Sequence, residues 1–192
     1  MLVDSFENFV RRSLKALHES EIDYVIVGGL VAIKYGRPRS TVDIDVIVKV
    51  DPKRRDRIEA LIQAFTWHNL EIDIVDLETR LLEGVHMSVF DNRSPYRIDL
   101  KSVRDKLDLT SLRNRRKTEI FGIETWIESP EDLIVAKLVY GGQQDEEDVL
   151  AVILAQKDNL RMSYLQEKAK EERVDEKLPA LFEELNLQKP WK

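Results

Sequence analysis

Asp43-Ile-Asp45 stands inside an apolar run, and two adjacent glycines, Gly28-Gly29, precede it with thirteen residues between. Side chains alternate across a strand. A strand over 42–48 therefore puts Asp43, Asp45 and Ile47 on one face and Ile44, Val46 and Val48 on the other. Residues two apart on a strand lie roughly 6.5–7 Å apart at the backbone. Two such carboxylates can converge on a hard divalent cation, which prefers oxygen ligands; magnesium carrying a substrate phosphate is the natural occupant. The other reading is the solvent face of an edge strand. Against it, Val46-Ile-Val48 is apolar on both faces, as in a covered central strand. Carboxylates buried there need cations or hydrogen-bond donors.

The glycines lie between a strand at Tyr24–Val27 and residues 30–36, which read as a short helix stopped by Gly36 and Pro38. Glycine lets the backbone approach a ligand closely, and a helix N-terminus favours an anion; an ordinary strand-to-helix turn is the alternative. A third carboxylate comes from Tyr96-Arg-Ile-Asp-Leu100, where Arg97, Asp99 and Lys101 share one strand face. Asp99 either joins the first two acids or pairs at the surface with Arg97 or Lys101. Thr41 shares the face of Asp43. Arg39 either grips a phosphate with both arms of its guanidinium or is a surface arginine in a loop.

Two further charges fall on apolar helix faces. Lys137 follows Leu133 and Ile134 by four and three residues, and it either snorkels to solvent or serves a buried anion. Asp145 precedes Val149 and Val152 by four and seven, with Asp148 one turn on. An inward acid near an inward lysine suggests an ion pair at a site.

The elements that must position these groups read as follows. Phe6, Phe9, Val10, Leu14 and Leu17 form one stripe of an N-terminal helix, and Arg54–Phe65 is a second helix. Residues 68–84 are ambiguous, with Ile72–Val75 a short strand and Leu77–Leu82 a helical turn. Val85–Phe90 and Tyr96–Leu100 pair as strands through a turn-rich loop, residues 105–113 are helical, and Thr118–Phe121 and Glu124–Ile127 flank Gly122 in a hairpin. Ser129-Pro-Glu-Asp132 is a helix start, with serine as cap, proline in the first turn and acids beside it. That helix ends at Gly141-Gly142, and others follow over 144–156, 160–172 and 175–186. The expected organisation is an α/β core over residues 1–128 and a helical region over 129–192.

Bulk properties bound the function. The net charge is −6 and the pI about 5.3, so no overall basicity announces nucleic-acid binding. Absence of cysteine excludes disulfides, zinc–thiolate sites and thiol catalysis. No apolar stretch approaches the roughly 18 residues of a membrane span, and the N-terminus reads as an amphipathic helix, so a soluble, cytoplasmic protein is expected. His18, His68 and His86 lack ligand spacing, and Trp67, Trp126 and Trp191 read as packing residues. The basic runs Lys53–Arg57 and Arg113–Lys117 read as solvated faces, with RNA backbone as the alternative. The charged tail reads as exposed helices, a lid or an oligomer surface.

Gly-Gly, a short spacer, Asp-x-Asp and a later strand Asp together resemble the signature of the nucleotidyltransferase superfamily with the DNA-polymerase-β-like fold. More narrowly, Gly28-Gly29, Gly36-Arg-Pro-Arg39-Ser-Thr41 and Asp43-Ile-Asp45 are similar to the stand-alone nucleotidyltransferases related to the AbiEii/MenA toxins. The motifs cover residues 25–50 and 95–101, and more weakly 128–155. The resemblance implies an α+β fold, a mixed sheet flanked by helices and followed by a helical region. It implies metal-dependent transfer of a nucleoside monophosphate from an NTP to a hydroxyl acceptor (an RNA 3′ end, a protein or a small molecule) with release of pyrophosphate. By the same token Asp43, Asp45 and Asp99 would be the metal ligands for magnesium or manganese, Asp99 also helping to deprotonate the acceptor. Gly28, Gly29, Arg39 and Thr41 would bind the nucleotide phosphates. Lys137 would neutralise triphosphate charge, and Asp145 would complete the site from the next helix. In one departure, Gly141-Gly-Gln-Gln144 stands where such relatives often carry an arginine before that acid. The resemblance leaves room for a homo-oligomer or an antitoxin partner. The alternative is a non-catalytic nucleotide-binding or toxin–antitoxin regulatory component.

Overall fold

The computed structural model describes residues 4–51, 53–72 and 77–187. By internal contacts they divide into two compact units: the chain through Leu30 with Ser40–Ile127, and residues 31–39 with the chain from Glu128 onward.

The first unit is built on a seven-stranded mixed sheet. Its strands are β1 (Asp23–Val27), β2 (Asp43–Lys49), β3 (Leu70–Glu71), β4 (Met87–Asp91), β5 (Arg97–Ser102), β6 (Arg116–Ile120) and β7 (Ile123–Ile127), in the order β3-β4-β5-β2-β1-β7-β6. β2 is thus the central strand, as its two-sided apolarity requires, and the edge-strand reading of Asp43-Ile-Asp45 fails. β2 runs antiparallel to β1 and parallel to β5. β6 and β7 form the expected hairpin, whose Phe121-Gly122 turn has φ of 48° and 74°, the double positive-φ geometry that matches strand twist.

Alternation along β2 and β5 separates two chemistries. Ile44, Val46, Val48, Ile98 and Leu100 are buried on one face. The other face carries Asp43, Asp45 and Ile47 from β2 and Arg97, Asp99 and Lys101 from β5. At its Ile47 end, Val25, Ile47 and Leu112 of α5 (Lys106–Arg113) form a small apolar cluster. Lys101 is tied there to the buried Asp108 of α5 at 2.7 Å. At the Asp43 end the same face is only half-buried. Helix cover thus accounts for an apolar strand that carries acids at one end.

The remaining helices of this unit are α1 (Phe6–Glu19), α3 (Arg55–Trp67) and the short α4 (Leu77–Leu82). α1 buries Phe9, Val10, Leu14 and Leu17, as its stripe predicts, and α3 buries Ile58, Leu61 and Phe65. Asp73, Ile74 and Val75 of the expected short strand lie outside the described residues, as does Trp191.

α2 runs over Gly28–Tyr35. It starts two residues earlier than expected, because Gly28 turns the chain at φ +69° directly out of β1. The first amides of a helix need no internal partner, so glycine is tolerated there.

The second unit is helical: α6 (Pro130–Tyr140), α7 (Gln143–Gln156), α8 (Met162–Glu171) and α9 (Leu178–Glu184). Ser129 caps α6 by accepting from the Asp132 N–H at 3.2 Å, and Gly141 closes it at φ +70°. The expected 175–186 helix begins as a 3-10 turn over Asp175–Lys177, and the α-helix starts at Leu178, with Pro179 in its first turn, where proline is tolerated.

Candidate active site

Parallel pairing of β2 with β5 puts Asp43 opposite Arg97 and Asp45 opposite Asp99. Partners on adjacent strands lie about 4.8 Å apart and point the same way. The three carboxylates foreseen from sequence therefore share one patch of one sheet face, although Asp43 and Asp99 are far apart in the chain.

Asp43 and Asp99 are held by specific donors. The Thr41 hydroxyl donates to Asp43 Oδ1 at 2.9 Å. The Ser88 hydroxyl of β4 donates to Asp99 Oδ1 at 2.7 Å. Arg97 spans two of the acids: its Nη2 donates to Asp43 Oδ2 at 3.0 Å, and its Nε lies 3.1 Å from both oxygens of Asp99. The Asp99 hydrogen bond and charge, helped by Asp43 and Asp45, hold Arg97 above the ordinary arginine pKa.

Gly28 is joined to this patch by necessity. A Cβ built on it would lie 2.3 Å from Asp45 Oδ2 and 3.0 Å from its Cγ. With φ at +69°, both conformation and space call for glycine. The Gly-Gly turn and the Asp-x-Asp strand are therefore in direct contact. Gly29 follows in the first turn of α2, whose N-terminal amides and dipole suit an anion.

Oxygen donors from three half-buried acids suit a hard cation. Three carboxylates against one guanidinium leave a formal −2 on the patch. Among the described residues, no group of three or more His, Cys, Asp or Glu side chains is arranged to hold a metal ion as it stands. Arg97 already bonds two of the three acids.

The second unit contains the other charges foreseen. Lys137 Nζ lies 2.8 Å from Asp145 Oδ1 and 2.8 Å from Asp148 Oδ2. Asp148 also receives both arms of Arg39, from Nε and Nη2, each at 2.9 Å. Burial works against the Lys137 ammonium, but hydrogen bonds to Asp145 and Asp148 outweigh it and keep its pKa above that of an ordinary lysine. Burial likewise opposes the Asp148 carboxylate, yet Arg39 and Lys137 hold its pKa below the usual value. Asp145 accepts from the Gly142 N–H at 3.1 Å, so it also caps α7.

Sequence reasoning placed Asp43, Asp45 and Thr41 on one strand face and left Asp99 either joining them or pairing at the surface; the structure brings all four together with Gly28. It groups Lys137, Asp145 and Arg39 around Asp148. Two participants were not assigned a role: Arg97, considered only as a surface partner of Asp99, and Ser88, whose position opposite Asp99 depends on the β4–β5 register. The packing role expected of Trp67 is wrong: its ring is 80% exposed at the end of α3, where the apolar stripe has run out. Trp126 is half-buried, with Arg115 4.9 Å and Lys117 5.9 Å from its ring centre. Both basic runs are threaded with acids: Arg54 pairs with Asp56, Arg57 with Glu21, Arg115 with Asp23 and Lys117 with Glu124.

Comparison with known proteins places these features in context. The family described as "Nucleotidyltransferase of unknown function (DUF6036)" matches residues 9–180. No curated protein matches the chain. Among solved structures, an antigenic nucleotidyltransferase-like protein from Paracoccidioides brasiliensis superposes with a TM-score of 0.57 at 19% identity, covering 97% of this chain and 95% of that one. ANT(2")-Ia in complex with adenylyl-2"-tobramycin gives 0.54 at 16% identity, covering 87% and 96%. The lincosamide antibiotic adenylyltransferase LnuA, bound to lincomycin, gives 0.52 at 14% identity, covering 78% and 96%. At these identities the likeness is one of fold.

Proposed function

From the premise that this chain belongs to the nucleotidyltransferase family matched over residues 9–180, we propose that Asp43, Asp45 and Asp99 hold the divalent cation of its transfer reaction. The sheet is the mixed α+β sheet of polymerase-β-like nucleotidyltransferases, and the enzyme class is nucleotidyl transfer, EC 2.7.7-type. Among the described residues no helix is long and apolar enough to cross a membrane.

In the proposed reaction an acceptor hydroxyl attacks the α-phosphorus of an NTP. A new O–P bond forms, the bond to the β-phosphate bridging oxygen breaks, and pyrophosphate leaves. The observation that carries this reading is the register of Asp45 with Asp99, with Asp43 on the same face and Gly28 against Asp45. A divalent cation held there, magnesium or manganese, supplies Lewis-acid stabilisation of phosphate charge. The chain's own groups do the rest. Thr41 and Ser88 fix the Asp43 and Asp99 carboxylates by hydrogen bonds. The amides opening α2 at Gly28 and Gly29 offer donors to phosphate oxygens. Asp99 takes the proton of the acceptor hydroxyl. A second clause of the proposal gives Lys137 the neutralisation of triphosphate charge, and gives Arg39, Thr41 and Asp145 supporting roles in nucleotide binding.

The acceptor is to be found by screen. LnuA is described as a lincosamide antibiotic adenylyltransferase and ANT(2")-Ia as a complex with adenylyl-2"-tobramycin, so lincomycin and tobramycin belong in it, beside other aminoglycosides as a class to be tried. RNA 3′ ends and protein hydroxyls belong there through the resemblance to AbiEii/MenA-type proteins. Labelled NTPs with magnesium or manganese are offered with each acceptor pool to wild-type protein and to D43N and D45N. Incorporation by wild type and its loss in both variants, with fold retained, is the expected result. Equal transfer by the variants would sink the mechanism. Nucleotide binding without incorporation in any pool would favour a regulatory or toxin–antitoxin component.

A further inference from the structure

We propose that Arg97 is the built-in counter-cation of the carboxylate face: it holds Asp43 and Asp99 when no metal is bound and competes with the divalent cation for them. This rests on the metal-holding role proposed for those acids.

The register creates the device. Arg97 lies opposite Asp43 on the neighbouring strand and two residues before Asp99 on its own, so one guanidinium can reach both carboxylates. It does so through separate nitrogens, Nη2 to Asp43 and Nε to Asp99. A planar fork can serve two acids in this way; a lysine ammonium is a single point charge. Bound there, the guanidinium relieves repulsion between acids whose strands are neighbours. A divalent cation approaching the same oxygens meets both a positive charge and carboxylates already engaged.

The arrangement is also reversible. The side chains of Arg97, Asp43 and Asp99 are 36%, 26% and 22% exposed, so water reaches the ion pairs. Half-exposed pairs of this kind are weak, and a long arginine can leave them for solvent. Thr41 and Ser88 stay on Asp43 and Asp99, so the acids keep their orientation when Arg97 departs. Arg97 is thus a positioning residue that sets the threshold for metal entry.

The experiment is a titration of Mn2+ into wild type, R97Q, R97K and D45N, followed by calorimetry and by the electron-spin signal of free Mn2+, alone and with a non-hydrolysable NTP analogue. R97Q should bind Mn2+ roughly threefold to tenfold tighter than wild type, the factor that one or two half-exposed ion pairs are worth. R97K should fall between them. Without metal, R97Q should melt below wild type, and saturating Mn2+ should restore more of its stability than it adds to wild type. A purely structural Arg97 predicts weaker or unchanged Mn2+ binding in R97Q, and that result overturns the proposal. D45N separates the two layers. If D45N loses Mn2+ binding while R97Q fails to tighten it, this proposal falls and the metal reading stands. If D45N binds as wild type does, or no variant binds Mn2+ under either condition, the metal reading falls and takes this proposal with it.

Discussion

Two clusters of opposed charge lie in this chain, and they differ in balance and in exposure. On the sheet face, Asp43, Asp45 and Asp99 stand with Arg97, which pairs with Asp43 and Asp99 and is 36% exposed. In the second unit, Asp145 and Asp148 of α7 stand with Lys137 of α6 and with Arg39 from the loop after α2, and the side chains of Asp148 and Lys137 are 2% and 8% exposed. The helical quartet is formally neutral. Its ions satisfy one another, so burial is tolerable and removal of a member is not. The four named groups of the sheet patch sum to a formal −2 where water reaches them, and hydroxyls and a guanidinium hold Asp43 and Asp99. Balance with burial suits a structural ion cluster; imbalance with access suits a cation site. The sequence reading set Lys137 beside the three acids; within its own unit the ammonium pairs with Asp145 and Asp148, so a triphosphate that it neutralises competes with those two carboxylates.

The sharpest way to break this contrast is Asp148→Ala. It leaves Lys137 and Arg39 without their shared acid and should cost about 3–5 kcal/mol of stability in urea unfolding. A loss below about 1 kcal/mol would mean that the quartet is not the structural element described here. On the sheet, Asp45→Asn should behave in the opposite way. Transfer should fall about a hundredfold or more, the scale of one lost charge-stabilising group, with little change in melting temperature. A variant that unfolds instead would place Asp45 with the structural ions. Gly28→Ala should cost about 1–2 kcal/mol for its positive φ, and more transfer activity than stability, because the new methyl strikes Asp45. Full activity would separate the glycine turn from the acids.

The smallest effect is the pH dependence of the quartet. The folded pKa of Asp148 lies below its unfolded value of roughly 3.9, so its contribution is present above that pH and is lost as pH falls through the folded pKa. Lys137 is raised, so its contribution is complete below the unfolded value of roughly 10.4 and is lost as pH rises through the folded one. Stability measured against pH should therefore fall at both extremes. Asp148→Asn should flatten the acid limb, and an unchanged limb would assign acid sensitivity to other carboxylates.

Much of this was readable in the chain. The period of two along residues 42–48 and 96–100 put Asp43 with Asp45 and Asp99 with Arg97, because strand geometry fixes side-chain direction locally. Ser129-Pro130 located the start of α6 through capping chemistry that spans only a few residues. Trp67 shows the limit: an aromatic residue at the end of a helix has no local signal that says whether anything will cover it.

Local pattern in the chain settles which residues share a strand face, where α6 begins and that three acids and a glycine turn are available. Those motifs also pointed to the nucleotidyltransferase superfamily, because they are local, and a nucleotidyltransferase family matches residues 9–180. Only the tertiary structure decided that β2 pairs in parallel with β5, and so that Asp45 faces Asp99 and Arg97 reaches Asp43. It alone decided that Ser88 supports Asp99 and that Arg39 closes on Asp148. The physical reason is range. Backbone geometry and capping act over a few residues and can be read from neighbours. Strand register and ion pairing join residues tens of positions apart, and they are settled by which apolar faces are buried together.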